Sequence, residues 1–146
     1  MKVVKLGGSV ITVKDLYKTL RRDVAFRLLD ELRRYHAELG GREGLVVVHG
    51  GGSYGHPLVR ECLLRHGKID YECYVRTADS MDTLNYVLRR YALSSGLPLV
   101  SLPPRSFCLL VSGRPRCELG PLTGLLGEGL VPLTYGDVVV SDEGFD

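Results

Sequence analysis

Leu45-Val46-Val47-Val48-His49-Gly50-Gly51-Gly52-Ser53-Tyr54-Gly55-His56-Pro57 is the stretch whose reading decides the fold. An apolar, β-branched run stopped by consecutive glycines reads as a buried strand running into a loop. Glycines in series let backbone N–H groups converge with no side chain between them, which makes a nest for an anion. Pro57 suits the first turn of a following helix. Strand, glycine loop and helix start together form the geometry in which backbone donors and a helix N-terminus hold a phosphate. His56 stands at the mouth of that loop, placed to donate a proton to a phosphate oxygen. Read alone, the same residues would serve equally well as a plain glycine turn with a solvated histidine.

Working outward, Met1 to Leu6 alternates and is β-branched, so it reads as a first strand, broken by Gly7-Gly8-Ser9. A second glycine loop directly after a strand doubles the case for an anion site. Lys5 lies at that strand's end and Lys14 just beyond its loop, two point cations able to offset phosphate charge. Strand ends facing a loop are where α/β sheets bind ligands, which favours a role for Lys5. Lys14 reads as well as a solvated surface lysine.

Asp23 to Leu39 reads as a helix, with Val24, Leu28 and Leu32 at four-residue spacing and Phe26 and Leu29 widening the stripe. Gly40-Gly41 ends it. A strand–helix–strand connection of this length favours a parallel pair with a right-handed crossover. Pro57 to His66 is the helix behind the glycine loop, burying Leu58, Cys62 and Leu63. Gly67 to Tyr74 reads as loop. Ser80 to Leu93 is a helix capped by Ser80, with Met81, Leu84, Leu88 and Tyr91 on one face. Leu97 to Leu102, Leu130 to Thr134 and Val138 to Val140 read as strands, Leu119 to Leu126 as a short helix. Phe107 to Val111 and Arg114 to Cys117 form a hairpin about Ser112-Gly113, and Ser141 to Asp146 has loop composition. The fold expected is α/β, a mostly parallel sheet with helices on both faces, in one domain spanning residues 1–146.

Composition narrows the partners. A chain of 146 residues with 45% hydrophobic and 25% charged content reads as an ordinary globular domain, and a net charge of +2 gives no bulk attraction for nucleic acid. No apolar run is long enough to span a bilayer and no leader pattern is visible, so a cytoplasmic setting is expected. Cys62, Cys73, Cys108 and Cys117 lack metal-ligand spacing, so no metal site is expected and all four default to small buried apolar residues. One exception follows from the hairpin: a two-residue turn at Ser112-Gly113 sets Cys108 opposite Cys117, close enough for a disulfide. The absence of Gln and the single Asn, Asn85, are a composition seen in thermophiles, whose intracellular proteins do carry disulfides.

Three stretches then carry a family likeness: Lys5-Leu6-Gly7-Gly8-Ser9-Val10-Ile11-Thr12, Val48-His49-Gly50-Gly51-Gly52-Ser53-Tyr54-Gly55-His56-Pro57, and Val131-Pro132-Leu133-Thr134-Tyr135-Gly136-Asp137-Val138-Val139. In order and spacing the chain resembles the amino acid kinase superfamily. The Gly-His-Pro continuation resembles its archaeal-type isopentenyl phosphate kinases, with fosfomycin kinases next. The resemblance implies ATP-dependent phosphorylation of isopentenyl phosphate to isopentenyl diphosphate, in an alternative mevalonate route to isoprenoids, with Mg2+ carried by the phosphates. It implies that His56 binds the acceptor phosphate, that Gly51, Gly52, Ser53 and Gly55 cradle it, and that Lys5 and Lys14 contact the transferred phosphate. Gly7, Gly8, Ser9 and Gly136 would line the nucleotide phosphates, and Asp137 would orient the lysines or line the site. Tyr74, Val75, Met81 and Leu84 are candidates for the hydrocarbon pocket, or plain core.

In the family the chain runs on into a second, nucleotide-binding half that nothing here matches. The resemblance therefore implies an acceptor-binding half that needs its complement for activity and associates with it or with another copy. The alternatives are a non-catalytic phosphate-binding module and a kinase half for a fosfomycin-like phosphonate.

Overall fold

The computed structural model describes residues 1–146. Strands β1 (Lys2–Leu6), β2 (Leu45–His49), β3 (Leu99–Ser101) and β6 (Val131–Tyr135) form a parallel sheet in the order β1-β2-β6-β3. A smaller sheet holds β4 (Cys108–Val111), β5 (Arg114–Cys117), β7 (Val140–Ser141) and β8 (Gly144–Phe145) in the order β5-β4-β7-β8. The helices are α1 (Gly8–Ile11), α2 (Arg22–Leu39), α3 (His56–His66), α4 (Tyr71–Ser95) and α5 (Gly120–Gly127).

Side chains alternate across a strand, so Leu45, Val47 and His49 share one face of β2. Leu45 and Val47 join the main core with Leu29 and Leu32 of α2 and Leu84 and Leu88 of α4, so α2 and α4 cover that face. Phe26 and Tyr91 stack at 3.9 Å between those helices, and the Tyr91 hydroxyl donates to Asp30 at 2.9 Å. Val46 points to the opposite face and is also buried. There α5 lies over the sheet, with Leu126 at 3.0 Å from where a Cβ of Gly44 would sit. Helices thus cover both faces, as expected. Gly40 closes α2 in the left-handed conformation at φ 56°. The buried stripe of α2 is Ala25, Leu29 and Leu32, one position round from the expected Val24–Leu28–Leu32 line, because Val24 lies at the edge of the contact.

Several expected boundaries move. Gly67 to Tyr74 is not all loop: α4 begins at Tyr71, capped by Asp70, whose Oδ1 accepts from the Cys73 N–H at 2.9 Å. Ser80 is therefore no cap. It is buried mid-helix, its hydroxyl donating to the Tyr54 carbonyl at 2.5 Å. The early turns of α4 bury Cys73, Thr77 and Ser80, polar or small residues that leave no apolar period to read. Gly8 does not simply break the chain but opens the four-residue α1. The strand expected over Val138 to Val140 is only Val140–Ser141, and the terminal strand Gly144–Phe145 pairs back onto it.

The hairpin turns at Ser112 and Gly113, with φ 50° and 70°, and pairs Cys108 with Cys117, which form the expected disulfide. Cys62 and Cys73 are not free. They are disulfide-bonded, tying α3 to the first turn of α4, a pairing that a loop over Gly67 to Tyr74 does not suggest. This bond spans 11 residues in sequence, a loop whose closure is worth about 3 kcal/mol. The protein unfolded without reductant is expected to show no free thiols, and Cys62→Ser/Cys73→Ser to lower the urea midpoint accordingly. Thiol reactivity in the unreduced chain would contradict the pairing.

Candidate anion-binding site

Parallel pairing explains why two glycine loops far apart in sequence meet. In the β1–β2 register Leu6 lies opposite His49, so Gly7 and Gly50 leave the sheet side by side at its C-terminal edge. The loops then interlock. A Cβ on Gly8 would fall inside the van der Waals radius of the Gly52 backbone, and one on Gly50 would lie 2.5 Å from the Gly8 nitrogen. Gly52 has φ 49°, and a side chain there would strike Thr12. The Thr12 hydroxyl latches the two loops: it donates to the Gly8 carbonyl at 2.6 Å and accepts from the Ser53 N–H at 3.1 Å. Ser53 Oγ in turn accepts from the Thr19 N–H at 3.2 Å.

These loops floor a cleft of about 880 Å³ whose lining includes Lys5, Gly7, Gly8, Ser9, Thr12, Lys14, Gly52, Ser53 and His56. The expected convergence of both lysines, the histidine and both loops on one space is therefore what the chain builds. Lys5, Lys14 and His56 are exposed into it. In α1 the Gly7 carbonyl accepts from the N–H groups of Val10 and Ile11, leaving those of Gly8 and Ser9 without a helical carbonyl, and His56 and Pro57, the latter with no N–H of its own, open α3 at the cleft. An anion entering here meets cationic tips and backbone donors together.

Other expected site residues lie elsewhere. Gly51 and Gly55 face away from the cleft onto Met81, whose Sδ sits 3.0 Å and 3.2 Å from where their Cβ atoms would be. Met81 and Leu84 are fully buried core, so they support the loop from below and line no tail pocket in the cleft. Tyr74 packs against Phe145 with ring centroids 4.7 Å apart and the planes tilted by 38°, and Val75 faces solvent. Gly136 follows β6, its N–H donating to the His49 carbonyl at 3.1 Å, outside the cleft lining.

Asp137 orients neither lysine. Its side chain is wholly buried and takes two bonds from Arg105 Nη1, at 2.8 and 2.9 Å, and one from the Val138 N–H at 2.9 Å. Arg105 Nη2 also pairs with Asp82, which accepts from the Tyr135 hydroxyl at 3.0 Å. Burial pushes the Asp137 carboxyl up, with Arg105 opposing. The carboxylate is thus engaged by a cation that the motif pattern did not name.

Beneath the second loop lies a buried histidine that motif reasoning treated only as the strand's end. His49 is wholly buried and stacks on Tyr135 at 4.8 Å. The Gly50 carbonyl, 3.0 Å from Nδ1, can only accept, so Nδ1 carries the proton. Nε2 then accepts from Asn85 Nδ2 at 3.1 Å, and Asn85 Oδ1 accepts from Ser101 Oγ at 2.6 Å. The one Asn of the chain was the available signal for this network.

Burial lowers His49 to about 4, against the weaker opposing effect of its bond to Gly50. Below pH 6.5 an unfolded His49 takes a proton that the native ring refuses until about 4. Its contribution is therefore complete at pH 7 and is lost as pH falls through that window, by up to roughly 3 kcal/mol. Urea unfolding between pH 7.5 and 4.5 is expected to show this loss, and His49→Gln a flatter slope. An unchanged slope would remove His49 as its source.

A parallel sheet covered by helices, with two glycine loops and exposed lysines at its C-terminal edge, makes this an α/β protein with a cleft where such sheets bind ligands. The chain belongs to the amino acid kinase family, whose profile matches residues 1–145. It is 34% identical to the isopentenyl phosphate kinase of Methanothermobacter thermautotrophicus over 155 residues, covering 98% of this chain and 55% of that protein. With the isopentenyl phosphate kinase of Thermoplasma acidophilum it shares 36% over 149 residues, again 98% and 55%. A crystal structure of the T. acidophilum enzyme with its product superposes with a TM-score of 0.82 at 30% identity, covering 99% of this chain and 59% of that one. An aspartate kinase from Synechocystis, at 19% identity and a TM-score of 0.63, shares the fold. The chain spans about half the length of the curated relatives it matches, 55% in both. No helix is long and apolar enough to cross a membrane.

Proposed function

We propose that this chain forms the acceptor-phosphate half of an isopentenyl phosphate kinase, which transfers the γ-phosphoryl group of ATP to isopentenyl phosphate. The observation that carries this reading is the convergence of Lys5, Lys14, His56 and both glycine loops on one cleft. A phosphate acceptor is already ionised at neutral pH, so no base is needed to make it a nucleophile. One of its oxygens attacks the γ-phosphorus, the bond from that phosphorus to the β–γ bridging oxygen breaks, and ADP leaves. What the reaction requires of the protein is alignment of two mutually repelling anions and stabilisation of spreading charge. His56 would donate to the acceptor phosphate, Gly52 and Ser53 would cradle it, and Lys5 and Lys14 would meet the group in flight.

Mg2+ would enter on the ATP phosphates and neutralise part of their charge. The cleft lining holds two carboxylates, Asp15 and Glu61, and Glu61 is already paired with Arg65. The remaining portion of the family fold, along the same polypeptide or in a separate chain, would supply the rest of the nucleotide site.

The test is calorimetric titration with isopentenyl phosphate, then transfer from ATP once the complementary half is supplied. Micromolar binding followed by diphosphate formation is expected. Binding without turnover under every condition would make this a binding module. Leu64 and Pro57 are the apolar side chains of the cleft lining, little to hold a hydrocarbon tail, which favours as a second reading a small phosphonate acceptor. Binding of a short phosphonate with no binding of isopentenyl phosphate would establish it.

A further inference from the structure

One cation on the cleft wall has no role in the scheme above. α3 turns Pro57, Arg60, Glu61, Leu64 and Arg65 to the cleft. Glu61 and Arg65 satisfy each other at 3.2 Å. Arg60 has no carboxylate within ion-pair distance and is exposed into the cleft. Residues four apart on a helix lie one above the other, so Arg60 stands one turn behind His56 on the same wall. An exposed arginine on a convex surface is ordinary. This one shares a concavity with Lys5, Lys14 and His56, against Asp15 as the one cleft carboxylate without an ion-pair partner.

Chemistry separates Arg60 from the two lysines. An ammonium is a point charge suited to a group that moves, whereas a guanidinium is a planar fork that takes two oxygens of one phosphate. His56 offers one donor and cannot alone tell a phosphate monoester from a singly charged anion. We propose that Arg60 is the specificity residue for the acceptor: beside His56, it takes the non-attacking oxygens of a dianionic phosphate monoester. This inference rests on the cleft being the acceptor-phosphate site, and not on which monoester enters it.

The experiment titrates wild type, Arg60→Gln and Arg60→Lys with isopentenyl phosphate, with inorganic phosphate and with a non-hydrolysable ATP analogue. The second ionisation of the bound phosphate is followed by 31P NMR. Arg60→Gln is expected to weaken both phosphates about 10- to 100-fold, Arg60→Lys to recover part of that, and the urea midpoint to stay put. Loss of the guanidinium should also raise the ionisation midpoint of the bound phosphate, which a merely structural role would not move. If Arg60→Gln binds isopentenyl phosphate as wild type does, the role of Arg60 is overturned and the kinase reading stands. If wild type ignores isopentenyl phosphate but binds inorganic phosphate through Arg60, the kinase reading fails and Arg60 keeps its role. Wild type binding neither overturns both. Weakening of the ATP analogue alone moves Arg60 to the donor side and overturns the inference.

Discussion

Gly8→Ala is expected to cost about 3 kcal/mol of stability and to abolish phosphate binding. The added carbon would overlap the nitrogen and Cα of Gly52. Overpacking is usually relieved by a side chain swinging away, but here the obstacle is backbone. That backbone cannot retreat, because Ser53 is held to Thr12 and Thr19, and Thr12 to Gly8 itself. Gly7→Ala is the control: its Cβ would meet only Val10 Cγ2 at 3.6 Å, and Gly7 has φ −61°, which alanine adopts freely. Its stability should stay within about 0.5 kcal/mol of wild type. Urea denaturation of the pair makes the comparison. A wild-type midpoint for Gly8→Ala would mean that the two loops stand farther apart than described.

That contrast bears on what could be read from the chain alone. Glycine runs after β-branched runs are conspicuous, and once both strands are taken as parallel their loops must share an edge. Hence Lys5, Lys14, His56, Gly8 and Ser53 could be gathered before any coordinates. Which glycine does what was not legible: Gly8 and Gly50 are needed for close approach, whereas Gly51 and Gly55 rest on Met81. Pattern reading also assumes that a buried face is apolar. It therefore missed the first turns of α4, where Cys73, Thr77 and Ser80 face inward, and with them the Cys62–Cys73 bond. The same assumption hid His49, Asn85 and the Arg105–Asp137 pair, polar groups whose burial is tolerable only because each is hydrogen-bonded to partners distant in sequence. Asp137 shows the limit of motif transfer. The motif located the residue beside the right strand, but its partner came from a loop that the motif does not include.

His56→Ala is expected to separate site from scaffold. The imidazole is exposed at the mouth of the cleft, so its removal should leave the urea midpoint within about 0.5 kcal/mol of wild type. Phosphoryl transfer in the complemented enzyme should nevertheless fall about 100- to 1,000-fold, the usual cost of losing one preorganised donor from a site of developing charge. Part of this will appear as weaker acceptor binding, since the histidine meets the phosphate before the reaction as well as during it. His56→Gln, which keeps a neutral donor, should recover a fraction of the binding and less of the rate. Alanine at His49 should do the reverse, lowering stability while leaving the cleft cations in place, because that ring is walled off beneath the loop. Full transfer by His56→Ala would take the imidazole out of the chemistry and leave Lys5 and Lys14 to carry the developing charge.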